Sequence, residues 1–160
     1  MKAKTKTFHL TIPGRLENLE KMLHHLQEFY QIGSGTEMTL EVNPDDLEER
    51  SLSEYRKMGW NRISIGIQSF RQEDLDLMRR SHDVSAAERS IRLCRNAGFE
   101  NISIDLIYGI PGQERTDWEY SLDRALEYGA DHLSAYHLSF EEGTVFEHWR
   151  KKRRISPVEE

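Results

Sequence analysis

Two short runs of the chain, Ile63-Ser64-Ile65-Gly66-Ile67-Gln68 and Ile102-Ser103-Ile104-Asp105-Leu106, alternate a branched aliphatic residue with a small or polar one. Side chains on a strand point to opposite faces in turn, so each run predicts a strand that is greasy on one side only. Met38, Leu40 and Val42 against Thr39 and Glu41 repeat the pattern, and so do Leu133 and Ala135 against Ser134 and Tyr136. Between such runs the apolar period lengthens to that of amphipathic helices. The reading is strands at Lys6–Leu10, Met38–Val42, Arg62–Ile67, Ile102–Ile107 and His132–Leu138. Helices are expected at Leu16–Tyr30, Leu47–Met58, Gln72–Arg79, Ser85–Ala97, Thr116–Tyr128 and Val145–Lys152. Strands separated by whole helices run parallel, with right-handed crossovers.

A sheet covered on both sides would be apolar on both faces, and a filled eight-stranded barrel would pack branched aliphatics inward. Neither matches. The alternation predicts an α/β fold in which a partial parallel (β/α) barrel curves around a wet or ligand-filled hollow, with its aliphatic face outward under the helices. The 160 residues suit one domain, and no linker divides them. Ser85 with Glu88 and Thr116 with Glu119 have capping-box spacing, and Gly59, Gly98 and Gly129 stand where three helices should stop.

Composition narrows the partners. With 22 Lys+Arg against 28 Asp+Glu, the net charge of −6 offers no general attraction to nucleic acid or anionic lipid. No run approaches the roughly 18 apolar residues of a membrane span, and Met1–Lys6 lacks the apolar stretch of a signal peptide, so the chain reads as cytoplasmic. The basic run Arg150–Arg154 reads as a solvated helix end. Cys94 is the only cysteine, which forbids an intrachain disulfide and a cysteine-built metal centre; sharing a helix face with Ala87 and Ile91, it reads as an inert core residue. His132 and His137, five apart on a strand, fall on opposite faces and give no zinc site. His24 and His25 read as partly exposed helix residues. Ser69 lacks the Gly-x-Ser-x-Gly setting of a hydrolase nucleophile.

Glu41, Gln68 and Asp105 lie toward the carboxyl ends of their strands on the polar face, where parallel α/β folds place ligands. The alternative is that they merely solvate the open side of an incomplete barrel or cap neighbouring amides. The loop Tyr108-Gly109-Ile110-Pro111-Gly112-Gln113 leaves the fourth predicted strand at the same end. Its glycines suit either close approach to a ligand or a simple tight turn.

Taken together, Glu41-Val42-Asn43-Pro44, Asn61-Arg62-Ile63-Ser64-Ile65-Gly66-Ile67-Gln68-Ser69-Phe70, Asn101 through Gln113, and His132-Leu133-Ser134-Ala135-Tyr136-His137-Leu138 with Glu141-Glu142-Gly143-Thr144 carry a resemblance. From about Arg15 onward the chain resembles radical S-adenosylmethionine (SAM) enzymes of the oxygen-independent coproporphyrinogen III oxidase type, including their haem-chaperone branch. The resemblance implies a fragment of a TIM-like (β/α)₆ barrel serving porphyrin metabolism. It places Glu41 against the methionine part of cluster-bound SAM, and Gln68, Arg80, Asp105 and Ser139 where the oxidase contacts a second SAM. The oxidase has alanine at the Ser139 position, and Gln68-Ser69-Phe70 is closer to the chaperone-like branch.

Two family features are missing from the sequence. Members carry CxxxCxxC, whose thiolates bind a [4Fe–4S] cluster, and a GGGTP loop that holds the SAM amino group. Here no such cysteines occur, and Leu10-Thr11-Ile12-Pro13-Gly14-Arg15-Leu16 stands in the loop's place. The expectation is a barrel lacking its first βα unit and C-terminal domain, and unable to make a 5′-deoxyadenosyl radical by itself. Alternatively the chain is a non-catalytic module for haem or a partner, with His137 or His82 as the conceivable iron ligands. A third expectation is a non-functional remnant whose exposed sheet edge makes it prone to associate.

Overall fold

A computed structural model describes residues 7–11, 16–30, 32–33, 35–143, 145–152 and 155. Five parallel strands, β1 (Thr7–Thr11), β2 (Glu37–Val42), β3 (Arg62–Gln68), β4 (Asn101–Tyr108) and β5 (His132–His137), form one sheet in chain order. Helices α1 (Leu16–Phe29), α2 (Glu49–Lys57), α3 (Gln72–Leu77), α4 (Val84–Asn96), α5 (Arg115–Glu127) and α6 (Val145–Lys151) fill the connections and follow β5. A short 3₁₀ turn at Pro44–Asp46 precedes α2, and the helix expected from Leu47 begins two residues later, at Glu49. Lys6, Ile12–Arg15, Thr144, Arg153 and Arg154 lie outside the described residues.

The aliphatic alternation becomes the core. Ile63, Ile65, Ile67, Ile102, Ile104 and Leu106 are each 0% exposed, and they pack with Leu19, Leu52, Ala87, Ile91 and Cys94 from the helices. Burying a side chain of this size contributes roughly 1.5–3 kcal/mol. Every sheet residue in that core points to the same side, so the helices cover the face that the sequence marked as greasy.

The amino end of the sheet is built by one device used three times. Gly59, Gly98 and Gly129 adopt φ of +99°, +84° and +70°, which L side chains reach only with strain. In each case the next residue closes the helix, with Trp60, Phe99 and Ala130 donating to the carbonyls of Tyr55, Cys94 and Ala125 at 3.1 Å. The residue after that aligns the coming strand in two of them: Asn61 Oδ1 accepts from Met38 at 2.8 Å, and Asp131 Oδ2 accepts from Ile102 at 2.9 Å. That bond, and then Arg95, hold the Asp131 carboxyl below its usual range.

The helix starts differ from the expected capping boxes. Asp83, not Ser85, caps α4, its Oδ1 accepting from Ala86 at 2.7 Å, while Glu88 pairs with Arg124 at 2.6 Å. At α5 the box is Glu114 with Asp117, whose Oδ2 accepts from the Glu114 amide at 2.9 Å. Acidic side chains two positions earlier reach the free amides first.

Candidate functional site on the polar face

Strand register carries one polar layer across the sheet, with Glu41 beside Ser64, Ser64 beside Ser103, and Ser103 beside His132. One layer toward the carboxyl end, Asp105 stands beside Ser134. Ser64 Oγ donates to Asp105 at 3.0 Å, and Ser103 Oγ lies 3.0 Å from His132 Nδ1. Below them Arg62 donates to Thr39 Oγ1 at 3.3 Å and pairs with Glu37 at 3.8 Å.

Electrostatics ties two of the expected site residues together. Burial pushes the Asp105 carboxyl above its ordinary range; hydrogen bonds from Ser134 and Ser64 oppose the shift, and the Glu41 charge adds to it. Two carboxylates sharing one field favour a proton or a cation between them. Arg62 supplies part of that positive charge from below.

Gln68 reaches the same face by an irregular path. Register slips between Ile65 and Gln68, so that Gln68 pairs with Leu106, and Gln68 takes φ of +69°. The extra residue is a β-bulge. It folds the side chain back over the strand: a Cβ placed on Gly66 would lie 2.8 Å from Gln68 Nε2 and 3.6 Å from Asn43 Oδ1. The regular register with β4 therefore stops at Ile65, although Ile67 still reaches the core as the alternation suggested, and Gly66 is the slot that receives the Gln68 amide.

Ser139 is exposed beyond the end of β5. Arg80 is half-buried, burial lowers its guanidinium pKa, and among the described residues no ion pair links it to Asp105.

Sequence reading missed the buried network that fixes the loops at the carboxyl ends of β3 and β4. Asp74, 4% exposed, accepts from Ser69 Oγ at 2.7 Å, Gln113 Nε2 at 3.0 Å and Arg71 at 3.2 Å. Arg71 also pairs with Asp117 at 3.0 Å, and Ser121 Oγ accepts from the Phe70 amide at 3.3 Å. Gln113 Oε1 in turn accepts from Gly109 at 3.1 Å. The bonds of Gln113 to Asp74, Arg71 to Asp117 and Phe70 to Ser121 join residues far apart in sequence, whereas the pairing of Ser69 with Arg71 two residues on had a local signature. Gly109 has φ of +72°, and a Cβ there would lie 2.6 Å from His137 Nε2. Its close approach is to that ring.

The remaining candidates are structural. His82 is buried with Nε2 3.0 Å from the Ile67 carbonyl. His137 packs edge-on against Tyr108, on the helix side of the sheet, opposite to His132. Cys94 is fully buried, and burial pushes its thiol up to about 12. His24 and His25 are exposed on α1. Among the described residues no three His, Cys, Asp or Glu side chains are grouped to hold a metal ion, and no helix is long and apolar enough to cross a membrane.

Comparison with known proteins points one way. Residues 4–125 match the profile of the Radical SAM superfamily. The heme chaperone HemW of Bacillus subtilis is 36% identical over 140 residues, which are 87% of this chain and 37% of that protein. Coproporphyrinogen III oxidase (HemN) from Escherichia coli, a radical SAM enzyme, superposes with a TM-score of 0.76 at 28% identity, covering 92% of this chain and 36% of the oxidase. The fold is shared further: the archaeal Methanocaldococcus infernus Elp3 gives a TM-score of 0.78 at 21% identity over 96% of this chain and 42% of that one. This chain spans little more than a third of the HemW and HemN chains.

Proposed function

Because the chain belongs to the radical SAM superfamily, we propose that these residues form the SAM-facing wall of a HemW- and HemN-like barrel without its redox centre. The observation that carries the reading is that Glu41 and Asp105 stand on the same polar face, either side of Ser64, where burial raises the Asp105 carboxyl and the Glu41 charge adds to the shift. Paired carboxylates beside serine hydroxyls suit the ammonium and sulfonium charges of SAM, and Glu41 would take the methionine end. The Gln68 amide would donate or accept at the rim.

A [4Fe–4S] cluster does not fit the residues present. It needs several accessible thiolates, whereas Cys94 is the only cysteine and is sealed in the core with its thiol protonated. No reductive step is therefore assigned to this chain. When a cluster and SAM are bound together, as in the family, they supply radical chemistry; here the side chains attract and orient a cation.

Calorimetric titration with SAM tests the reading. One or two charge-assisted contacts give only a few kcal/mol, so binding is expected to be no tighter than millimolar in order of magnitude, and Glu41→Ala should remove what there is. SAM binding that Glu41→Ala leaves unchanged would contradict it.

HemW relatives are named heme chaperones, which keeps a haem-binding module as the second reading. His82 and His137 argue against simple ligation, since the first is bonded to Ile67 and the second is wedged against Gly109. A haem Soret band that shifts on adding this chain and is lost in His137→Ala would favour that reading over the first.

A further inference from the structure

Among the described residues only Gln68 and Arg79 take a positive φ without being glycine. Arg79, at +54°, follows α3, and left-handed residues commonly end helices; the Arg80 amide bonds back to the Leu75 carbonyl at 2.9 Å, as that motif requires. Gln68, at +69°, ends a strand, where nothing local favours the conformation. The Ser69 amide donates to the Ile67 carbonyl at 2.9 Å, which makes Gln68 the centre of a γ-turn of the rare, strained hand. Strain of this kind persists only where the surroundings over-determine it.

Those surroundings come from three helices. Ser69 Oγ donates to Asp74 of α3 at 2.7 Å, and the Phe70 amide donates to Ser121 of α5 at 3.3 Å. These bonds fix the residues after the turn. Before it, the Ile67 carbonyl lies 3.0 Å from Nε2 of His82, which is 3% exposed and stands just ahead of the α4 cap, Asp83. A carbonyl oxygen only accepts, so the ring proton is on Nε2 and is directed at the atom that closes the turn.

We propose that His82 is a positioning residue for Gln68: by donating to the Ile67 carbonyl it holds the strained turn, and the turn keeps the Gln68 amide over Gly66 on the polar face. In extended backbone the Gln68 side chain would stand away from the strand instead of folding back along it. Gly66 completes the arrangement, since a Cβ there would lie 2.8 Å from Gln68 Nε2. Glu41 and Asp105 attract a cation with little regard to direction, whereas a fixed carboxamide offers its donor nitrogen and acceptor oxygen along set lines. Holding that amide in place before a ligand arrives removes an ordering cost from binding. The identity of the ligand rests on the SAM reading above; the positioning is a property of the chain alone.

NMR on the full 160-residue chain tests the two parts separately. In the parent, His82 should be the Nε2–H tautomer with a ring proton protected from exchange. Gln68 should show the strong nuclear Overhauser effect between its own amide and Hα protons that a positive φ brings. His82→Leu keeps apolar volume and removes the donor. That effect should then fall to the weak value of extended backbone, and the Ser69 amide should exchange at least about 10-fold faster while Ile104 is unchanged. His82→Gln, which returns a nitrogen donor, should recover part of both. Adding Gln68→Gly to His82→Leu should restore Ser69 protection, because glycine adopts the turn unaided; this double variant and the parent tautomer decide the matter if His82→Leu alone does not fold. SAM titration of the same samples should show an affinity about 3- to 10-fold weaker in His82→Leu than in the parent. An Nδ1–H tautomer, or a Gln68 signal and Ser69 protection unchanged in His82→Leu, would overturn the proposal. So would an unchanged SAM affinity in a His82→Leu chain that has lost the turn. A parent that binds no SAM, with a turn that still depends on His82, would sink the SAM reading and uphold the positioning.

Discussion

The two faces of the sheet are made from the same strands and obey different physics. On the helix side Ile63, Ile65 and Ile104 are interchangeable in kind: each removes apolar area from water, and direction matters little. On the polar side every group depends on a particular neighbour. Ser64 serves Asp105, Ser103 holds His132, and Gln68 needs the empty position at Gly66. Apolar burial is concentrated on the first face and specific polar pairing on the second, so substitutions should separate them.

The largest effect belongs to the covered face. Ile65→Ala, at the centre of the sheet, should lower unfolding stability by about 3–4 kcal/mol in urea titrations through lost burial and a residual cavity. A loss below about 1 kcal/mol would mean that the core collapses readily around the site. Next comes Asp74→Ala, which strands the donors of Ser69 and Gln113 and leaves Arg71 with Asp117 alone. It should cost about 2–3 kcal/mol, and the Gln113 side-chain amide signals should broaden as the loop after β4 loosens. An unchanged Gln113 spectrum would remove the network from its positioning role.

Asp105→Asn should do much less, within about 1 kcal/mol of the parent at neutral pH, because a carboxylate with a raised pKa gains little from being ionised in the fold. The sign follows from linkage. The folded Asp105 holds its proton to higher pH than the unfolded one, so its contribution is complete below the unfolded value of about 3.9 and is lost as pH rises through the raised folded value. Asp105→Asn should therefore gain on the parent as pH climbs through that window, and stability curves of constant separation would contradict the assignment. The smallest change is Gly66→Ala. The obstructing atom is the free end of a side chain, so stability should move by no more than about 0.5 kcal/mol, while the Gln68 amide resonances shift.

What could be read from the sequence follows the same division. The sheet, its parallel order and the buried isoleucines were legible because alternation and helical period are local and repeated. So were the three glycine stops, each at the end of its helical stretch. The caps were misplaced because Ser85 and Thr116 compete with Asp83 and Glu114 nearby, and only backbone geometry decides between them. The bulge at Gln68 had no signal, since no glycine marks its left-handed residue. Asp74 was invisible because its partners Ser69 and Gln113 lie on separate loops that only the folded sheet brings together.

The central claim is that Glu41 and Asp105 share one face and one electric field. Carbon-detected NMR titration of the Asp105 carboxyl, in the parent chain and in Glu41→Gln, measures this directly. The account predicts a pKa above the ordinary aspartate range that falls part of the way back when the Glu41 charge is removed, with burial keeping the remainder raised. An Asp105 that titrates at or below its ordinary value, unmoved by Glu41→Gln, would contradict it.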